Sequence, residues 1–470
     1  MSQNHKSSHA QWSSKIGFLM AAVGSAVGLG SIWKFPYMTG DSGGSAFVLV
    51  FIVSITLIGF PVLVTEWLIG RRGQSNPQAS FKKVALQNNT SPAWALLGVF
   101  GLLAAFMILS FYSVIGGWSL NYTAKAGTNV FSGMNADATG TMFTDMLASP
   151  MQMAVWHTVF MGLTAFIVAS GVTSGVEKAS KIMMPALAVI MVLIVGYNAI
   201  NMDFAKGIEF LFKFDLARMQ EVGVGKVLMA ALGHAFFCLS LGMAIMVSYG
   251  SYLKQEVNLL ATARTVIIWD IIFSLMAGLM IFPILFSNGL DPAAGPGLIF
   301  VTLPIAFGQM GFGVVVGTLF FILLTFAALT SSISILEPIT EFLEERTPLS
   351  RKASALVGAL ATWAVGILAL LSFNVLSDFA VFTITVGGEA KPQGIFDALD
   401  YISSKIMLPL TGLGTIILMG WFMNQKSVQD ELGITGTKWT LWQVAVKFIA
   451  PLGVIAVFLT ELGLFDFLIK

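Results

Sequence analysis

The segment Gly24-Ser25-Ala26-Val27-Gly28-Leu29-Gly30-Ser31 lies inside a long apolar stretch near the N-terminus. Its three glycines disfavour a regular helix, so we expect a turn or two of a membrane-spanning helix to unwind here. Unwound backbone at bilayer depth is tolerated only where protein or a hydrated cavity satisfies it, and its free carbonyls are suitable ligands for a desolvated cation. The segment alone fits close helix packing equally well, because small residues let membrane helices approach each other.

The whole chain has the composition of a membrane protein. Of its 470 residues, 56% are hydrophobic and only 10% are charged, whereas about a quarter of the residues of an ordinary soluble domain are charged. Apolar stretches of about 20 residues, the length that crosses a bilayer, recur along the chain. We place eleven spans, at residues 15–37, 45–69, 94–123, 152–170, 180–200, 227–253, 264–287, 313–342, 354–373, 401–423 and 441–465.

Basic residues set the expected orientation. If the N-terminus is cytoplasmic, most of the 25 Lys and Arg residues fall on the inner side, as the positive-inside rule requires. An odd number of spans then places Lys470 outside the cytoplasm. Residues 1–11 are polar and the first apolar stretch continues into a full span, so we expect no cleavable signal peptide.

The sequence gives little support for an enzyme, a zinc protein or a nucleic-acid-binding protein. Its net charge is +1, and its basic clusters are explained by topology. We identify no phosphate loop, nucleophile elbow or pair of catalytic carboxylates. A single cysteine, Cys238, excludes an intrachain disulfide, and the four histidines are too scattered to suggest a zinc site.

A second candidate break lies in the sixth span, where Phe236-Phe237-Cys238-Leu239-Ser240-Leu241-Gly242 interrupts a strongly apolar helix. If spans one to five and six to ten are two copies of one unit, the first helix of each copy is interrupted at its centre. Matching interruptions in two halves indicate a transporter's binding site at the bilayer midplane. There, helix N-termini would face an anion and freed carbonyls a cation.

Two further polar features lie within spans. Asp270 interrupts the seventh span, and an ionised carboxylate at that depth needs a cation or a hydrogen-bond network. The eighth span contains Ala327-Ala328-Leu329-Thr330-Ser331-Ser332. On its own, this hydroxyl cluster fits helix-helix packing as well as a binding site.

These segments together resemble the neurotransmitter:sodium symporter family. The resemblance covers nearly the whole chain and is carried by Gly24–Ser31, Trp33-Lys34-Phe35-Pro36, Gly43-Gly44, Glu66-Trp67, Gly70-Arg71, Phe236–Gly242, Gly289-Leu-Asp-Pro-Ala-Ala-Gly-Pro-Gly297 and Leu329-Thr-Ser-Ser-Ile333. It implies an all-α polytopic membrane protein with two inverted five-helix repeats, discontinuous first and sixth helices, and one additional helix. The implied parts are a cytoplasmic segment (1–12), a first repeat (13–200), an extracellular connection (201–226), a second repeat (227–424), and an intracellular loop with the eleventh helix (425–470).

The resemblance implies two sodium sites. The second site would use the carbonyls of Gly24, Val27 and Ala327 and the hydroxyls of Thr330 and Ser331, and neutral oxygens of this kind suit a hard cation. The first site would use the Ala26 carbonyl, the Ser31 and Asp270 side chains, the Cys238 position and the carboxylate of the substrate.

The first sodium site departs from the family pattern. The family usually has Asn where Ser31 and Asp270 stand, and a hydroxyl residue where Cys238 stands. A thiol is a poor sodium ligand. We therefore expect Cys238 to contribute only its carbonyl and Asp270 to compensate with a full negative charge.

The same departure bears on chloride, which many family members bind. The matching positions are Phe51, His234, Cys238, Asp270 and Ser274. Phe51 has no hydroxyl and a carboxylate at 270 would repel an anion, so we predict chloride independence. Protonation of Asp270 on the inward journey would permit proton antiport, whereas we expect His234 to be a neutral packing residue.

Gly28 indicates the substrate class, because amine transporters of the family have Asp at this position. Glycine favours a ligand that brings its own carboxylate, and the implied substrate is an apolar or aromatic L-amino acid. The implied substrate-binding residues are Ala26, Leu29, Gly30, Ile108, Tyr112, Phe237, Cys238, Ser240, Met243, Ser331 and Ile335. Tyr112 and Phe237 would form an aromatic lid.

The family closes its site with an Arg–Asp pair on each side. Lys34 and Asp400 match the outer pair, and His9 and Glu345 match the inner pair. Because lysine makes a point contact where arginine makes a fork, we expect a looser outer latch. The inner pair, with histidine, would be sensitive to pH.

The expected protein is thus a sodium-coupled amino acid symporter of a bacterial inner membrane, with a cytoplasmic N-terminus and lipid as its surroundings. Two other hypotheses remain open at this point. One is a proton-coupled transporter that uses Asp270. The other is an amino acid sensor of the same fold that does not transport.

Overall fold

The computed structural model describes residues 10–461, apart from 294, 296, 387 and 388. Within these residues, nine helices are long and apolar enough to cross a membrane, and two bent helix pairs raise the number of candidate spans to eleven. The predicted helical membrane fold is therefore confirmed. One local difference is an antiparallel hairpin, formed by β1 (Phe382–Val386) and β2 (Glu389–Gln393).

The helices follow each other in this order. The first half contains α1 (Lys15–Ala26), α2 (Phe35–Asp41), α3 (Ser45–Ser54), α4 (Phe60–Gly73), α5 (Pro77–Gln87), α6 (Ala95–Gly127), α7 (Ala136–Ala148), α8 (Pro150–Ala169), α9 (Lys178–Asn201), α10 (Phe204–Phe212) and α11 (Leu216–Val222). The second half contains α12 (Val224–Cys238), α13 (Ile245–Ser251), α14 (Leu259–Ser287), α15 (Leu303–Gln309), α16 (Gly313–Arg346), α17 (Arg351–Leu371), α18 (Ile395–Asp400), α19 (Leu408–Ile417), α20 (Gln425–Leu432), α21 (Gly436–Val444) and α22 (Ala450–Glu461). Short π-helical turns lie at Gly30–Lys34, Ile55–Gly59, Val172–Glu177, Leu298–Thr302, Tyr401–Met407, Leu418–Phe422 and Ala445–Ile449, and Pro92–Trp94 forms a 3₁₀ turn.

The uninterrupted spans agree with the sequence prediction in number and order. They run over Ser45–Gly73, Pro92–Gly127, Pro150–Ala169, Val172–Asn201, Leu259–Ser287, Gly313–Arg346, Arg351–Leu371, Ile395–Phe422 and Gly436–Thr460. The first span is the bent pair of α1 with Gly30–Asp41. The sixth span contains α12, which is bent against α11, and it is interrupted between α12 and α13. The helix count and these two interruptions are consistent with an inverted repeat of five helices.

The first span breaks where the glycine-rich segment predicted it. Helix α1 starts at the N-cap Ser14 and ends at Ala26, and the helix resumes with its axis turned by 46°. Gly28 lies in the break, and a Cβ atom there would stand 2.0 Å from the Ser331 hydroxyl oxygen. Only glycine allows α16 to approach the broken backbone this closely.

The sixth span breaks slightly later than predicted. Helix α12 continues to Cys238, and the backbone is not helical again until Ile245. The turn is centred on Gly242, where φ is +79° and a Cβ atom would stand 2.4 Å from the Leu408 carbonyl oxygen. Ser240 and Ala244 also have positive φ values, +54° and +63°, which are uncommon outside glycine.

A second bend precedes the sixth span and was not predicted. Helices α11 and α12 meet at an angle of 91° around Gly223, where φ is +101°. Together with α10, α11 forms a two-helix connection between the fifth and sixth spans.

The core packs around α16, which contacts α1, α6, α8, α9 and α17. The inner half of the sixth span, α13, lies directly on α4. Two glycines allow this contact. A Cβ atom at Gly70 would stand 1.9 Å from the Val247 carbonyl oxygen, and one at Gly250 would stand 2.6 Å from the Trp67 carbonyl oxygen.

We predict that Gly70→Ala destabilises the protein. The added methyl group would force α4 and α13 apart, and overpacking of this kind costs about 1–3 kcal/mol. The measurement is the melting temperature of the detergent-solubilised protein, which should fall. Gly196→Ala is the control, because a Cβ atom at Gly196 in α9 meets nothing within 4 Å. Equal melting temperatures for the two variants would contradict this account of the packing.

Candidate substrate and sodium site

The two breaks meet at the centre of the molecule. The Ser25 carbonyl oxygen accepts a hydrogen bond from the Ser240 hydroxyl at 3.0 Å, and the Ser331 hydroxyl approaches the same oxygen at 3.3 Å. The broken first span, the broken sixth span and α16 thus converge on one backbone carbonyl. Polar groups released from two helices satisfy each other here, away from lipid.

A small cavity lies at this junction. Its volume is about 20 Å³, which is room for one or two water molecules. All eleven residues predicted to bind substrate line it, and Ser25 and Gly28 complete the lining. Its walls are largely apolar, and its polar groups come mainly from the two breaks.

The polar end of the cavity is formed by Leu29 and Tyr112. The Leu29 N–H donates to the Tyr112 hydroxyl at 3.4 Å, and Ser331 also hydrogen-bonds to Tyr112. Phe237 covers the Gly30 backbone, where a Cβ atom would stand 3.5 Å from its ring. A backbone N–H and a hydroxyl beside an aromatic side chain suit the carboxylate of an amino acid.

Three of the predicted ligands of the first sodium site lie together. The Ser31 hydroxyl oxygen is 2.7 Å from one carboxylate oxygen of Asp270 and 3.3 Å from the Ala26 carbonyl oxygen. Asp270 is fully buried, and its other carboxylate oxygen, Oδ2, has no hydrogen-bond partner within the described part of the chain. A buried carboxylate oxygen without a partner is costly, and a cation beside it would remove that cost. The residues present therefore fit a sodium ion.

The Cys238 thiol points to a different neighbour. Its sulfur lies 3.1 Å from Nε2 of His234. The thiol also lies near Ser31 and Asp270, so a backbone-only role of Cys238 towards sodium stays a prediction.

The predicted ligands of the second sodium site also come together, at the contact of α1 with α16. A Cβ atom at Gly24 would stand 3.3 Å from the Thr330 Cβ atom. The Gly28 N–H donates to the Ala26 carbonyl at 2.9 Å rather than to Gly24, so the Gly24 carbonyl lacks that helical bond. On the opposite side, the Thr330 hydroxyl donates to the Ala327 carbonyl at 3.0 Å. Val27 and Ser331 flank this group, and the donor set is made of neutral oxygens, which fits sodium.

The positions that match the family's chloride site lie in aromatic surroundings. The His234 ring is 5.1–5.8 Å from the rings of Phe35, Phe47 and Phe51, measured between ring centres. The Ser274 hydroxyl is buried without a hydrogen-bond partner.

The outer gate residues share a cavity without touching. Lys34 and Asp400 both line a cavity of about 250 Å³, but no ion pair within 4.0 Å joins them in the described part of the chain. The Lys34 ammonium instead lies 4.2 Å from the centre of the Phe237 ring. Asp400 accepts a hydrogen bond from the Ser404 hydroxyl at 2.7 Å.

The inner gate prediction is only partly covered by the structure, because His9 lies outside the described residues. Its predicted partner Glu345 binds the turn before α5. Glu345 accepts hydrogen bonds from the Ser75 hydroxyl at 2.6 Å, the Asn76 backbone N–H at 3.0 Å and the Asn76 side chain at 2.6 Å. It thereby ties the end of α16 to the loop between α4 and α5.

Sequence reasoning missed the role of Glu66. Its carboxylate is buried within the second span and accepts a hydrogen bond from the Gly242 N–H at 2.8 Å. A buried acidic residue in a membrane span was the available signal. The structure shows that this residue satisfies the backbone of the sixth-span break.

The N-terminal segment is tied to α9 and to Tyr249 by a set of contacts that sequence reasoning missed. The Trp12 indole donates to the Tyr249 carbonyl at 3.0 Å. Glu177, buried at the end of a π-helical turn before α9, accepts from the Ser13 N–H (2.9 Å) and hydroxyl (2.5 Å), and from Ser14 (3.1 Å). The Lys181 ammonium lies 2.6 Å from the same carboxylate. We call Glu177 with these donors the inner clasp.

A third group of buried charges lies between α13 and α16. Glu337 forms an ion pair with Arg351 and accepts a hydrogen bond from the Tyr252 hydroxyl at 2.8 Å. One helical turn later, Glu341 accepts from the Ser248 and Ser251 hydroxyls at 2.5 Å and 2.9 Å. These contacts hold the inner half of the sixth span against α16.

Comparisons with known proteins agree with this geometry. The model of the sodium:neurotransmitter symporter family matches residues 9–137 and 140–467. The chain is 38% identical to the sodium-dependent transporter YhdH of Bacillus subtilis, over 97% of this chain and 98% of that one, and 33% identical to a sodium-dependent transporter of Haemophilus influenzae, over 98% and 100%. It is also similar to the crystal structure of MhsT in complex with L-phenylalanine, with a TM-score of 0.85 and 39% identity over 96% of this chain and 99% of that one.

We predict that Glu177→Gln loosens the inner clasp. Hydrogen bonds to a charged group contribute about 1.5–3 kcal/mol, so the neutral side chain should hold α1 more weakly. Hydrogen–deuterium exchange of the Lys15–Ala26 peptide should be faster by about tenfold.

The matched control is Glu209→Gln, which removes an exposed ion pair with Lys213 on α10. It should leave exchange in α1 unchanged. Wild-type exchange in the Glu177→Gln variant would show that the inner clasp does not hold α1.

Proposed function

We propose that this chain, which belongs to the sodium:neurotransmitter symporter family, imports an apolar or aromatic L-amino acid by alternating access. It is a sodium-dependent membrane transporter and not an enzyme. The observation that carries this proposal is the junction of the two broken spans at the Ser25 carbonyl. A transporter needs its ligands at the bilayer midplane, between elements that can move against each other. This junction provides such a place.

Sodium coupling follows from shared ligands. In the proposed arrangement, one sodium ion lies between Asp270 and the carboxylate of the substrate. Ser331 lines the substrate cavity and is also a proposed ligand of the second ion. Each bound sodium ion therefore increases the affinity for the substrate, and the substrate increases the affinity for sodium. The loaded transporter then differs in stability between the outward-facing and inward-facing states. A ligand shifts a conformational equilibrium only by this difference in affinity.

The cavity lining supports the substrate class. Ile108, Met243 and Ile335 face the cavity with Phe237 and Tyr112, so no charged side chain is available to pair with a cationic or anionic substrate side chain. The related MhsT structure contains L-phenylalanine. Met243 is unbranched and adaptable, so we propose that several apolar side chains are accepted.

Asp270 supports a further part of the proposal, independence of chloride. Its carboxylate would supply the negative charge that chloride supplies elsewhere in the family, so transport would be independent of chloride.

We also propose a cytoplasmic N-terminus, an extracytoplasmic C-terminus and a location in the inner membrane, because this orientation places most basic residues on the inner side.

A proton-driven transporter is the second candidate. The observation that favours it is the same unpartnered Asp270 oxygen, Oδ2, which would accept a proton as readily as it would face a cation. The two candidates differ in the ion gradient that drives uptake.

The proposal predicts which gradient drives transport. In proteoliposomes, an inward sodium gradient at equal pH should drive uptake of radiolabelled L-phenylalanine or L-leucine. A pH gradient without sodium should not, and L-lysine and L-glutamate should not be taken up in either case. Uptake that persists without sodium would exclude the sodium mechanism, and uptake driven by pH alone would favour the proton mechanism.

A second prediction concerns Asp270→Asn. Loss of the carboxylate should reduce the apparent sodium affinity by about tenfold or more, because a charge-assisted contact contributes roughly 1.5–3 kcal/mol. Uptake by the variant should now be stimulated by chloride, whereas wild-type uptake should be equal in chloride and gluconate. A wild-type protein that requires chloride would contradict the role assigned to Asp270.

A further inference from the structure

A cavity of about 420 Å³ lies at the outer ends of the spans, away from the substrate site. Its walls come from the turn between α2 and α3, from the α10–α11 connection and from the end of α14. The residues that line it are Gly43, Gly44, Ser45, Lys206, Glu209, Phe210, Lys213, Phe214, Asp215, Arg218 and Phe286. It combines aromatic walls with three basic side chains.

The basic side chains are not equivalent. Lys206 pairs with Asp203 at 2.6 Å and Lys213 with Glu209 at 2.5 Å. The Arg218 guanidinium instead stacks on the Phe210 ring, 4.6 Å from its centre, and no carboxylate among the residues that the structure describes lies within ion-pair distance of it. The nearby Asp215 carboxylate, which also lines the cavity, accepts from the Arg218 backbone N–H at 3.0 Å and forms no ion pair with its side chain. The Arg218 guanidinium therefore keeps a planar set of N–H donors, which match a phosphate.

An exposed apolar face of α3 follows the cavity along the chain. Ser45 lines the cavity at the start of α3, and Leu49 and Val53 follow on the same helix face at intervals of four residues. These two side chains are 50% and 47% exposed, as expected of residues that contact acyl chains. A molecule with its phosphate at Arg218 can thus lay its hydrocarbon along α3.

The α10–α11 connection presents apolar side chains outward as well. Phe212, Phe214 and Leu216 are each 52% exposed, and all three lie beside the basic residues of the cavity. Aromatic and basic residues on a short amphipathic element are typical of a segment at the membrane interface. Water alone would be an unfavourable environment for this surface.

From these contacts we propose that the cavity is a binding site for one phospholipid of the adjacent leaflet. Arg218 binds the phosphate, and the Leu49 and Val53 face of α3 holds an acyl chain. Lys206 and Lys213 turn towards the phosphate from Asp203 and Glu209, because their exposed ion pairs contribute little stability. The lipid would also lie against the turn at Gly43 and Gly44, which joins the outer half of the broken first span to α3. Its occupancy would therefore stabilise the outer side of the transporter.

The test compares wild-type protein with Arg218→Gln by native mass spectrometry after release from detergent micelles that contain phosphatidylglycerol or phosphatidylethanolamine. Wild type should retain one phospholipid more than the variant. Thermal stability gives a second reading: phospholipid should raise the melting temperature of wild type more than that of Arg218→Gln. Lys82→Gln, an exposed lysine on the cytoplasmic helix α5, should behave as wild type.

Two further arms identify the ligand chemistry. Inorganic phosphate alone and a diacylglycerol without phosphate should each leave the melting temperature unchanged. Stabilisation by inorganic phosphate to the same extent would show a free-anion site and overturn the lipid proposal. Equal lipid retention by wild type and Arg218→Gln would also overturn it. If Arg218→Gln does not fold, the surface variant Lys206→Gln/Lys213→Gln replaces it and should lose part of the lipid retention, whereas full retention would again overturn the proposal.

Discussion

The structure depends on how two interrupted helices satisfy their backbone at bilayer depth. Helix α12 stops at Cys238 and the backbone does not become helical again until Ile245. The N–H groups and carbonyls released there have no water to bond with, and each unsatisfied group would cost several kcal/mol. The Glu66 carboxylate binds the Gly242 N–H, and the Ser240 hydroxyl binds the Ser25 carbonyl. The two breaks are therefore stable only next to each other and next to the second span.

This mutual dependence makes the junction suitable for binding. Some groups released by the breaks bond to protein, but the Gly24 carbonyl lacks its helical bond from Gly28. Beside the breaks, the Oδ2 atom of Asp270 has no hydrogen-bond partner among the described residues. In the proposed function, these remaining groups hold sodium ions, and the substrate carboxylate completes one ion's coordination. Neither the sodium ion nor the substrate then binds well alone, because each pairs with a charged or polar group that would stay unpaired without it.

The sequence was sufficient for features set by local pattern and insufficient for those set by distant contacts. The glycine-rich segment predicted the first break correctly. The eleven substrate residues came from the family resemblance and not from local pattern; they line one cavity, and their role in binding stays a prediction. The second break was predicted about two residues early, because its position is fixed by the approach of Gly242 to Leu408. The inner clasp joins Ser13 to a residue 164 positions away, and no local pattern indicates such a pair. The bend between α11 and α12 was also missed, although Gly223, which has a positive φ, is a local signal for it.

The most direct test of this account is the linkage between sodium and substrate binding. Equilibrium binding of L-phenylalanine to the purified protein would be measured across a series of sodium concentrations, with choline keeping the ionic strength constant. The account predicts that affinity rises by about tenfold or more with sodium, and that L-phenylalanine raises the affinity for sodium by the same factor, since linkage is reciprocal. Affinity for L-phenylalanine that is the same in sodium and in choline would contradict the claim that the two breaks form one shared site.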